Sequence, residues 1–194
     1  MEKTKIKGLI AATVTPMEKN GDINLTAIDA YAEHLIKLGV AGVFVCGTTG
    51  ESLFLDTEER KKVAEAWMKF SDRLKILVHV GSTSYRISSE LAVHAGLIGA
   101  DAISAMGPCF LQPNRVEELV QFNKLIAEKA PGIPYYYYHI PTTSGVNIHM
   151  PAFLEKAASE IPTLNGIKYT SYNSMEMQAV SYTHLRAHET RSNL

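Results

Sequence analysis

A lysine inside a short apolar segment is the residue whose type and position most clearly suggest chemistry. Lys168 lies between Gly166-Ile167 and Tyr169-Thr170. Side chains of a strand alternate between faces, so Gly166, Lys168 and Thr170 share one face, where the glycine leaves room beside the amine. An amine that loses hydration in an enclosed site favours its neutral form, which can attack a ketone and form a Schiff base. The alternative for this residue alone is a lysine that extends from a strand end into solvent.

A tyrosine at the end of another strand-like segment could transfer a proton. Tyr138 is the last of four consecutive tyrosines that begin at Tyr135. Alternation places Tyr136 and Tyr138 on one face, and only the residue nearest the strand end can reach a site there. A phenol in that position can relay a proton to or from a reacting oxygen. The alternative is that the four tyrosines reflect β-propensity alone.

A glycine-flanked turn, Gly47-Thr48-Thr49-Gly50, could hold an anion. Two hydroxyls and a series of backbone N–H groups form the kind of nest that binds a carboxylate or a phosphate. Because no basic residue lies within the turn, we favour a carboxylate. The alternative is an ordinary glycine-rich βα turn, in which Glu51 either supports the site or only orients the loop.

Short β-rich segments alternate with helical segments along the chain, and these elements must position the three candidate groups. The predicted strands are Gly8–Thr15, Gly42–Cys46, Lys75–Val80, Ala102–Met106, Pro134–Tyr138 and Gly166–Tyr169. The predicted helices are Leu25–Leu38, Glu58–Ser71, Tyr85–Ile98, Val116–Lys129 and Met150–Ser159. Asp56 and Glu59 predict a capping box at the start of the second helix.

Strands that alternate with helices indicate parallel pairing and right-handed crossovers, which leaves two architectures. An open doubly wound sheet that binds a nucleotide should carry a G-x-G-x-x-G turn after its first strand. Here that strand ends in Thr13-Val14-Thr15-Pro16, without such a turn. The unit repeats roughly every 30 residues, so eight units need about 240 residues, close to the ~250 of a TIM barrel. We predict an α/β fold of the (β/α)8 TIM barrel type with about six βα units present, and a site at the carboxyl ends of its strands.

The alternation stops near Ser181, which divides the chain into two predicted regions. Residues 1–180 are expected to form the partial TIM-barrel domain. Residues 181–194 contain no strand pattern and no strong helical stripe. We interpret them as a tail foreign to the domain, such as translated vector or adapter sequence. A natural disordered terminus is the alternative.

Composition argues against several classes of function. The chain has 194 residues, 46% of them hydrophobic, and a formal net charge of -1, which suits one core and no nucleic-acid partner. No apolar run approaches the ~20 residues of a membrane span, and no signal peptide is apparent. Cys46 and Cys109 adjoin apolar segments and are expected to be buried thiols of a cytoplasmic protein. The seven histidines lack metal-ligand spacing, so we predict no metal and no cofactor.

In their order and spacing, these segments resemble the pyruvate-dependent class I aldolase family that contains dihydrodipicolinate synthase and N-acetylneuraminate lyase. The resemblance runs from about Lys7 to about Val180. The segments that carry it are Thr13-Val14-Thr15-Pro16, Gly47-Thr48-Thr49-Gly50-Glu51, Tyr138-His139-Ile140-Pro141, Ser144-Gly145 and Gly166-Ile167-Lys168.

The resemblance implies a role for each matching residue. Lys168 matches the lysine that forms the Schiff base, and Tyr138 matches the tyrosine that shuttles a proton through the substrate carboxylate. Thr48 and Thr49 match the hydroxyl and amide groups that hold the pyruvate carboxylate, with Gly47 at the base of their turn. Thr170, directly after Tyr169, matches a position that faces the substrate in the sialic acid lyases.

Two positions favour the sialic acid lyases within this family. His139 follows the tyrosine where synthases more often carry asparagine, and Cys109-Phe110-Leu111 replaces a synthase tyrosine pair. The resemblance implies cleavage of N-acetylneuraminate to N-acetylmannosamine and pyruvate, by a homotetramer when the barrel is full length. Sugar-binding residues of the seventh and eighth units are not in this chain. A sister pyruvate aldolase, such as 4-hydroxy-tetrahydrodipicolinate synthase or a keto-sugar-acid aldolase, and an inactive fragment or binding module are the alternatives.

Overall fold

The computed structural model describes residues 6–189, with side chains described as far as residue 181. Its six strands are β1 (Ile10–Ala12), β2 (Gly42–Val45), β3 (Lys75–His79), β4 (Ala102–Met106), β5 (Tyr135–His139) and β6 (Leu164–Tyr169). Its helices are α1 (Thr26–Lys37), α2 (Thr57–Met68), α3 (Tyr85–Leu97), α4 (Val116–Ala127), α5 (Pro141–Ser144), α6 (Met150–Glu160) and α7 (Ser174–Glu189).

The strands form one parallel sheet in the order β1-β2-β3-β4-β5-β6, so every strand lies beside its neighbours in the chain. A doubly wound sheet reverses its strand order at a switch point, where its ligand binds. The strictly sequential order contains no such reversal, and it confirms the barrel-type arrangement over the doubly wound alternative. Within residues 6–189, β1 and β6 are the two edges of this sheet.

Alternation along the strands gives the sheet two apolar faces, as expected. On the helix side, Tyr135 and Tyr137 are fully buried in the same cluster as Trp67 of α2. On the opposite, inner face, Tyr138 packs in a smaller cluster with Phe44 of β2. The predicted division of the four tyrosines between the two faces is confirmed. It places one phenol at the inner rim of the sheet.

Helix α2 begins at the predicted capping box. The Glu59 N–H donates to Asp56 Oδ1 at 2.7 Å, and the Asp56 N–H donates to Glu59 Oε2 at 2.9 Å. These bonds satisfy donors that otherwise have no partner at a helix start, and caps of this kind contribute about 1 kcal/mol. The cap fixes where the chain turns from the loop after β2 back towards the sheet.

Two helices were not predicted. The short α5 begins at Pro141 and ends at Gly145, whose φ of 70° is the left-handed conformation that glycine adopts most readily. The longer α7 continues to Glu189, so a helix extends into the region after Ser181 in which the sequence showed no strand and no strong helical stripe. Its apolar residues do not form a strong stripe, which is why periodicity missed it. Residues 190–194 lie outside the described part of the chain.

Both cysteines are free thiols, but only one is fully buried as expected. Cys46 is 1% exposed, whereas Cys109 is only partly buried because it lies in the irregular segment after β4. Through residue 189, no helix is long and apolar enough to cross a membrane.

Candidate active site

The pairing of β5 with β6 brings the candidate lysine against the candidate tyrosine. Tyr138 is the direct partner of Lys168 in the ladder, and Lys168 Nζ lies 3.8 Å from the Tyr138 ring centroid. The same Nζ lies 5.0 Å from the centroid of Phe44. A cation over such rings gains roughly 0.5–2 kcal/mol, depending on how dry the site is. The amine therefore lies along an aromatic wall on the inner face, which argues against the alternative of a lysine extended into solvent.

Thr170 completes the immediate surroundings of the amine. Lys168 Nζ donates to Thr170 Oγ1 at 3.1 Å, as expected because Thr170 directly follows β6 and lies two residues beyond the lysine, on the same face. The side of the amine away from β5 is open, because β6 is an edge of the described sheet. Lys168 is therefore partly buried, whereas the sequence predicted an enclosed lysine.

The Tyr138 hydroxyl connects the lysine strand to the turn after β2. It lies 3.4 Å from Thr48 Oγ1, and either hydroxyl can donate in this contact. The Tyr138 ring is fixed by two edge-on neighbours, Phe44 at 5.4 Å and His79 at 5.7 Å between centroids. Edge-to-face pairs of this kind are the favoured geometry of aromatic rings. The phenol is therefore held in place between the amine and the turn.

The turn itself requires glycine at its base. Cys46 has a φ of 54°, and a Cβ on Gly47 would lie 2.6 Å from the Phe44 ring. Only a residue without a side chain fits there, because real Cβ atoms do not approach so closely. Thr48 and Thr49 form the exposed tip of the turn. The strained entry thus turns the chain sharply enough to present both threonines at the rim.

Three further hydrogen bonds close and anchor the turn. The N–H groups of Gly50 and Ser52 donate to Gly47 O at 3.1 and 3.3 Å, and Thr15 Oγ1 donates to Gly50 O at 2.8 Å. Thr15 belongs to the Thr-x-Thr-Pro segment after β1, so one residue of that motif holds the turn after β2 in place. The turn is therefore anchored from the neighbouring strand end.

His79 is a hydrogen-bonded core residue. Its ring is buried, with Nδ1 2.9 Å from Cys46 O, and Nε2 accepts from the Met106 N–H at 3.4 Å. Burial, helped by the positive charge of Arg60, lowers the pKa of His79 to about 3. The ring is therefore neutral, with its proton on Nδ1 and donated to the carbonyl just before the turn.

Arg60 is a supporting residue that sequence reasoning missed. It is 3% exposed, and its guanidinium donates to Gly81 O at 2.9 Å and His79 O at 2.7 Å. It lies on the same face of α2 as Val63 and Trp67, so an arginine within an apolar stripe was the signal available. Burial lowers the pKa of this arginine below its ordinary value. Its bonds to main-chain carbonyls hold the end of β3 beneath Tyr138.

The structure brings most of the predicted site residues into one cluster. Lys168, Tyr138, Thr48 and Thr170 form a continuous set of contacts at the carboxyl ends of β2, β5 and β6. Thr49 shares the exposed turn, while the glycine at its base acts through the shape of the backbone. This arrangement can place an amine, a phenol and a carboxylate-binding turn around one small keto acid.

Known proteins resemble this chain in both sequence and fold. The dihydrodipicolinate synthetase family profile matches residues 5–188. N-acetylneuraminate lyase from Homo sapiens is 45% identical over 177 residues, which are 90% of this chain and 55% of that protein. The structure of Proteus mirabilis N-acetylneuraminate lyase matches with a TM-score of 0.89 and 43% identity, over 91% of this chain and 60% of that one.

A third relative is a catalytic lysine mutant of Ruminococcus gnavus sialic acid aldolase. It matches with a TM-score of 0.85 and 29% identity, over 91% of this chain and 57% of that one. The chain therefore spans between 55% and 60% of the length of these relatives. The sequential six-stranded sheet is the corresponding part of a TIM barrel.

Proposed function

Because this chain belongs to the dihydrodipicolinate synthetase family, we propose that it carries the Schiff-base site of an aldol lyase. The proposed reaction cleaves N-acetylneuraminate to N-acetylmannosamine and pyruvate. One observation carries this proposal: the Lys168 amine, the Tyr138 hydroxyl and the Thr48 hydroxyl follow one another at the strand ends. An amine, a proton-transfer group and a carboxylate-binding turn are the three parts that such a reaction needs.

The proposed chemistry assigns one step to each group. The turn at Thr48 and Thr49 binds the substrate carboxylate, which orients the neighbouring ketone. The Lys168 amine, after loss of its proton, attacks the ketone, and loss of water gives an iminium. The bond between the first and second carbons beyond the iminium carbon then breaks, and its electrons move into the iminium to form an enamine.

Tyr138 moves the proton in the same sequence. Through the substrate carboxylate, it accepts the proton of the hydroxyl that becomes the aldehyde of the departing sugar. Returning this proton to the enamine carbon restores the iminium, and water then releases pyruvate and the free amine. General acid–base groups of this kind contribute about 10²–10⁴-fold to a rate.

Similarity to the lyases supports N-acetylneuraminate as the substrate, in agreement with the sequence positions that distinguish lyases from synthases. The relatives from Homo sapiens and Proteus mirabilis are both N-acetylneuraminate lyases, at 45% and 43% identity. A sister pyruvate aldolase is the alternative within the family. The substrate of the whole barrel depends on units beyond the described sheet, so the test requires a longer chain.

The test uses a barrel-complete form, defined as residues 1–180 followed by the part of the human relative beyond the matched region. Pyruvate release is measured with N-acetylneuraminate and with a panel of other sugar acids. We expect release from N-acetylneuraminate with the highest kcat/KM of the panel. Consumption of pyruvate without release from any sugar acid would assign a synthase instead.

A binding module is a second candidate, because the described sheet has edges at β1 and β6 to which a strand of another chain could pair. Treatment with pyruvate and borohydride separates the candidates. An aldolase site reduces to a stable covalent adduct, whereas a binding module leaves the chain mass unchanged.

We also propose the domain bounds, the assembly and the cellular compartment of the protein. Residues 1–180 form the partial lyase domain and 181–194 a tail foreign to it, although the family profile extends to residue 188. The full-length protein is a cytoplasmic homotetramer that uses no metal, cofactor, nucleic acid or membrane. Light scattering of the barrel-complete form, with and without residues 181–194 inserted at the junction, tests the assembly and the tail together.

A further inference from the structure

A carboxylate behind the candidate site connects three elements. Glu176, in the first turn of α7, has a side chain that is 12% exposed. Its Oε1 accepts from the N–H of Met150 at the start of α6, at 3.0 Å. Its Oε2 accepts from the Tyr169 hydroxyl at 2.6 Å and lies 3.8 Å from His139 Nε2. One side chain therefore contacts the ends of β5 and β6 and the beginning of α6.

These contacts lie directly behind the candidate catalytic pair. In the ladder, Tyr138 is the partner of Lys168, and the next pair along is His139 with Tyr169. Successive side chains point to opposite faces, so the second pair lies on the reverse side of the two strand ends. The rings of His139 and Tyr169 are 4.9 Å apart between centroids and inclined by only 34°. Any shift of one strand end against the other must move these stacked rings past each other.

The charges in this cluster favour a firm hydrogen bond. Burial raises the pKa of Glu176, but hydrogen bonds from Tyr169 and Met150 outweigh it, and the pKa lies below its ordinary value. Burial lowers the pKa of His139, which the carboxylate only partly offsets. The titratable groups in contact with the carboxylate are thus the phenol of Tyr169 and the imidazole of His139. A phenol donating to a charged carboxylate makes one of the stronger hydrogen bonds in proteins.

We propose that Glu176 is a positioning residue, which holds Tyr169 and His139 so that Lys168 and Tyr138 keep the relative position that imine formation requires. This inference rests on the proposed Schiff-base function. It does not make Glu176 a catalytic residue, because its contacts lie on the outer face of the strands. Displacement of reacting groups by about 1 Å can cost on the order of 10²-fold in rate, so a carboxylate that never touches substrate can still set the rate.

The test measures the rate of pyruvate trapping by borohydride in the barrel-complete form, over a range of pyruvate concentrations. The variants are Glu176→Ala, Glu176→Gln and Tyr169→Phe, with Glu155→Ala as the control for loss of an exposed glutamate on α6. Rates are normalised to the folded fraction, which is measured by thermal unfolding and by the final extent of trapping.

We expect Glu176→Ala and Tyr169→Phe to lower the saturating trapping rate by about ten- to a hundredfold. The pyruvate concentration for half-saturation should change by less than about twofold, because the carboxylate-binding turn follows β2, remote from the altered contacts. Glu176→Gln keeps an amide oxygen that accepts from the Tyr169 hydroxyl, so it should recover most of the rate. A merely structural role would lower the thermal midpoint and the folded fraction. It would not lower the normalised saturating rate while leaving the half-saturating pyruvate concentration unchanged.

The failures can be told apart. Normalised trapping in Glu176→Ala equal to that of the Glu155→Ala control overturns the positioning role and leaves the Schiff-base function standing. A rise in the half-saturating pyruvate concentration that accompanies the fall in rate also overturns the positioning role, because the defect then lies in carboxylate binding. If Glu176→Ala does not fold, Tyr169→Phe, which keeps the ring stack, decides by the same criteria. Absence of any adduct in the unsubstituted protein overturns the proposed function and this inference with it.

Discussion

Lys168 and Tyr138 face each other across neighbouring strands, with the amine nitrogen 3.8 Å from the centre of the phenol ring. Their relative position is set by one pair in the β5–β6 ladder and not by a flexible loop. The hydroxyl at the end of the same Tyr138 ring lies 3.4 Å from the Thr48 hydroxyl. The order amine, phenol and turn is thus built into three strand ends, which makes each group separately testable.

Replacement of Lys168 by arginine should abolish covalent trapping of pyruvate. A guanidinium stays protonated at every accessible pH, so it cannot attack a ketone. Mass spectrometry after borohydride treatment of the barrel-complete form measures the adduct, and peptide mapping locates it. Lys75→Arg, at an exposed lysine paired with Asp101, is the control and should be trapped like the unsubstituted protein. An adduct that survives Lys168→Arg would assign the Schiff base to another amine.

Replacement of Tyr138 by phenylalanine should lower turnover by about 10²–10⁴-fold, because it removes a proton-transfer hydroxyl and keeps the ring against Phe44 and His79. Thermal stability should change little for the same reason. The matched control is Tyr136→Phe, on the same face of β5, where the hydroxyl accepts a hydrogen bond from Asn165. Steady-state pyruvate release measures both variants. Equal turnover in the two would show that another group moves the proton.

The neutral buried ring of His79 predicts a loss of stability in acid. Its pKa is about 3 in the folded protein and close to the ordinary 6.5 in the unfolded chain, so only the unfolded chain binds the proton between these values. The stabilisation is complete above pH 6.5 and falls by roughly 1.4 kcal/mol per pH unit as the pH drops towards 3.

Urea unfolding of the barrel-complete form between pH 7.5 and pH 4 checks this dependence. His79→Gln should be less stable at neutral pH but should lose less stability on acidification, because its side chain does not titrate. His34→Gln, which removes an exposed imidazole on α1, serves as the control. A slope that is unchanged by His79→Gln would show that other groups dominate the acid response.

Much of the fold follows from the sequence because each strand and helix has its own periodicity. Strand β4 covers the predicted residues Ala102–Met106, whereas β1 is shorter than predicted because only Ile10–Ala12 pair with β2. Helix α7 was missed because its apolar residues are scattered. A local signal was nevertheless present, since the Glu176 N–H donates to Asn173 Oδ1 at 3.1 Å in a cap-like arrangement.

Some residues of the site could be predicted from the sequence and others could not. Lys168, Tyr138 and Thr48 could be found because each is unusual where it stands in the sequence: an amine in an apolar strand, a phenol at a strand end and hydroxyls between glycines. Glu176 is an ordinary acidic residue at a helix start, and its partners come from three other elements. Its role depends on tertiary contacts, which no pattern within one segment records.

The chain as written should be poorly soluble and should release no pyruvate, although its proposed Schiff-base residues are all present. Within residues 6–189 no strand pairs with the outer side of β1 or β6, and each edge backbone group that is both buried and without a hydrogen bond costs roughly 1–3 kcal/mol. Native domains are stable by only ~5–15 kcal/mol, so a few such groups are decisive.

Purification of the 194-residue chain beside the barrel-complete form provides the measurement, followed by thermal unfolding and a pyruvate-release assay. We expect the longer form to unfold cooperatively and to turn over substrate. A cooperative transition with normal turnover in the shorter chain would show that six units suffice.

The strictly sequential strand order also has a consequence for how the protein is made. Each strand that leaves the ribosome finds its only earlier neighbour already synthesised, so the sheet can grow one strand at a time from the amino terminus. The turn at Thr48 precedes Lys168 by about 120 residues, which at ~5–20 residues per second is roughly 6–24 seconds of synthesis. A nascent chain therefore presents the turn proposed to bind the carboxylate, and then the phenol, before the proposed Schiff-base amine arrives with the last described strand.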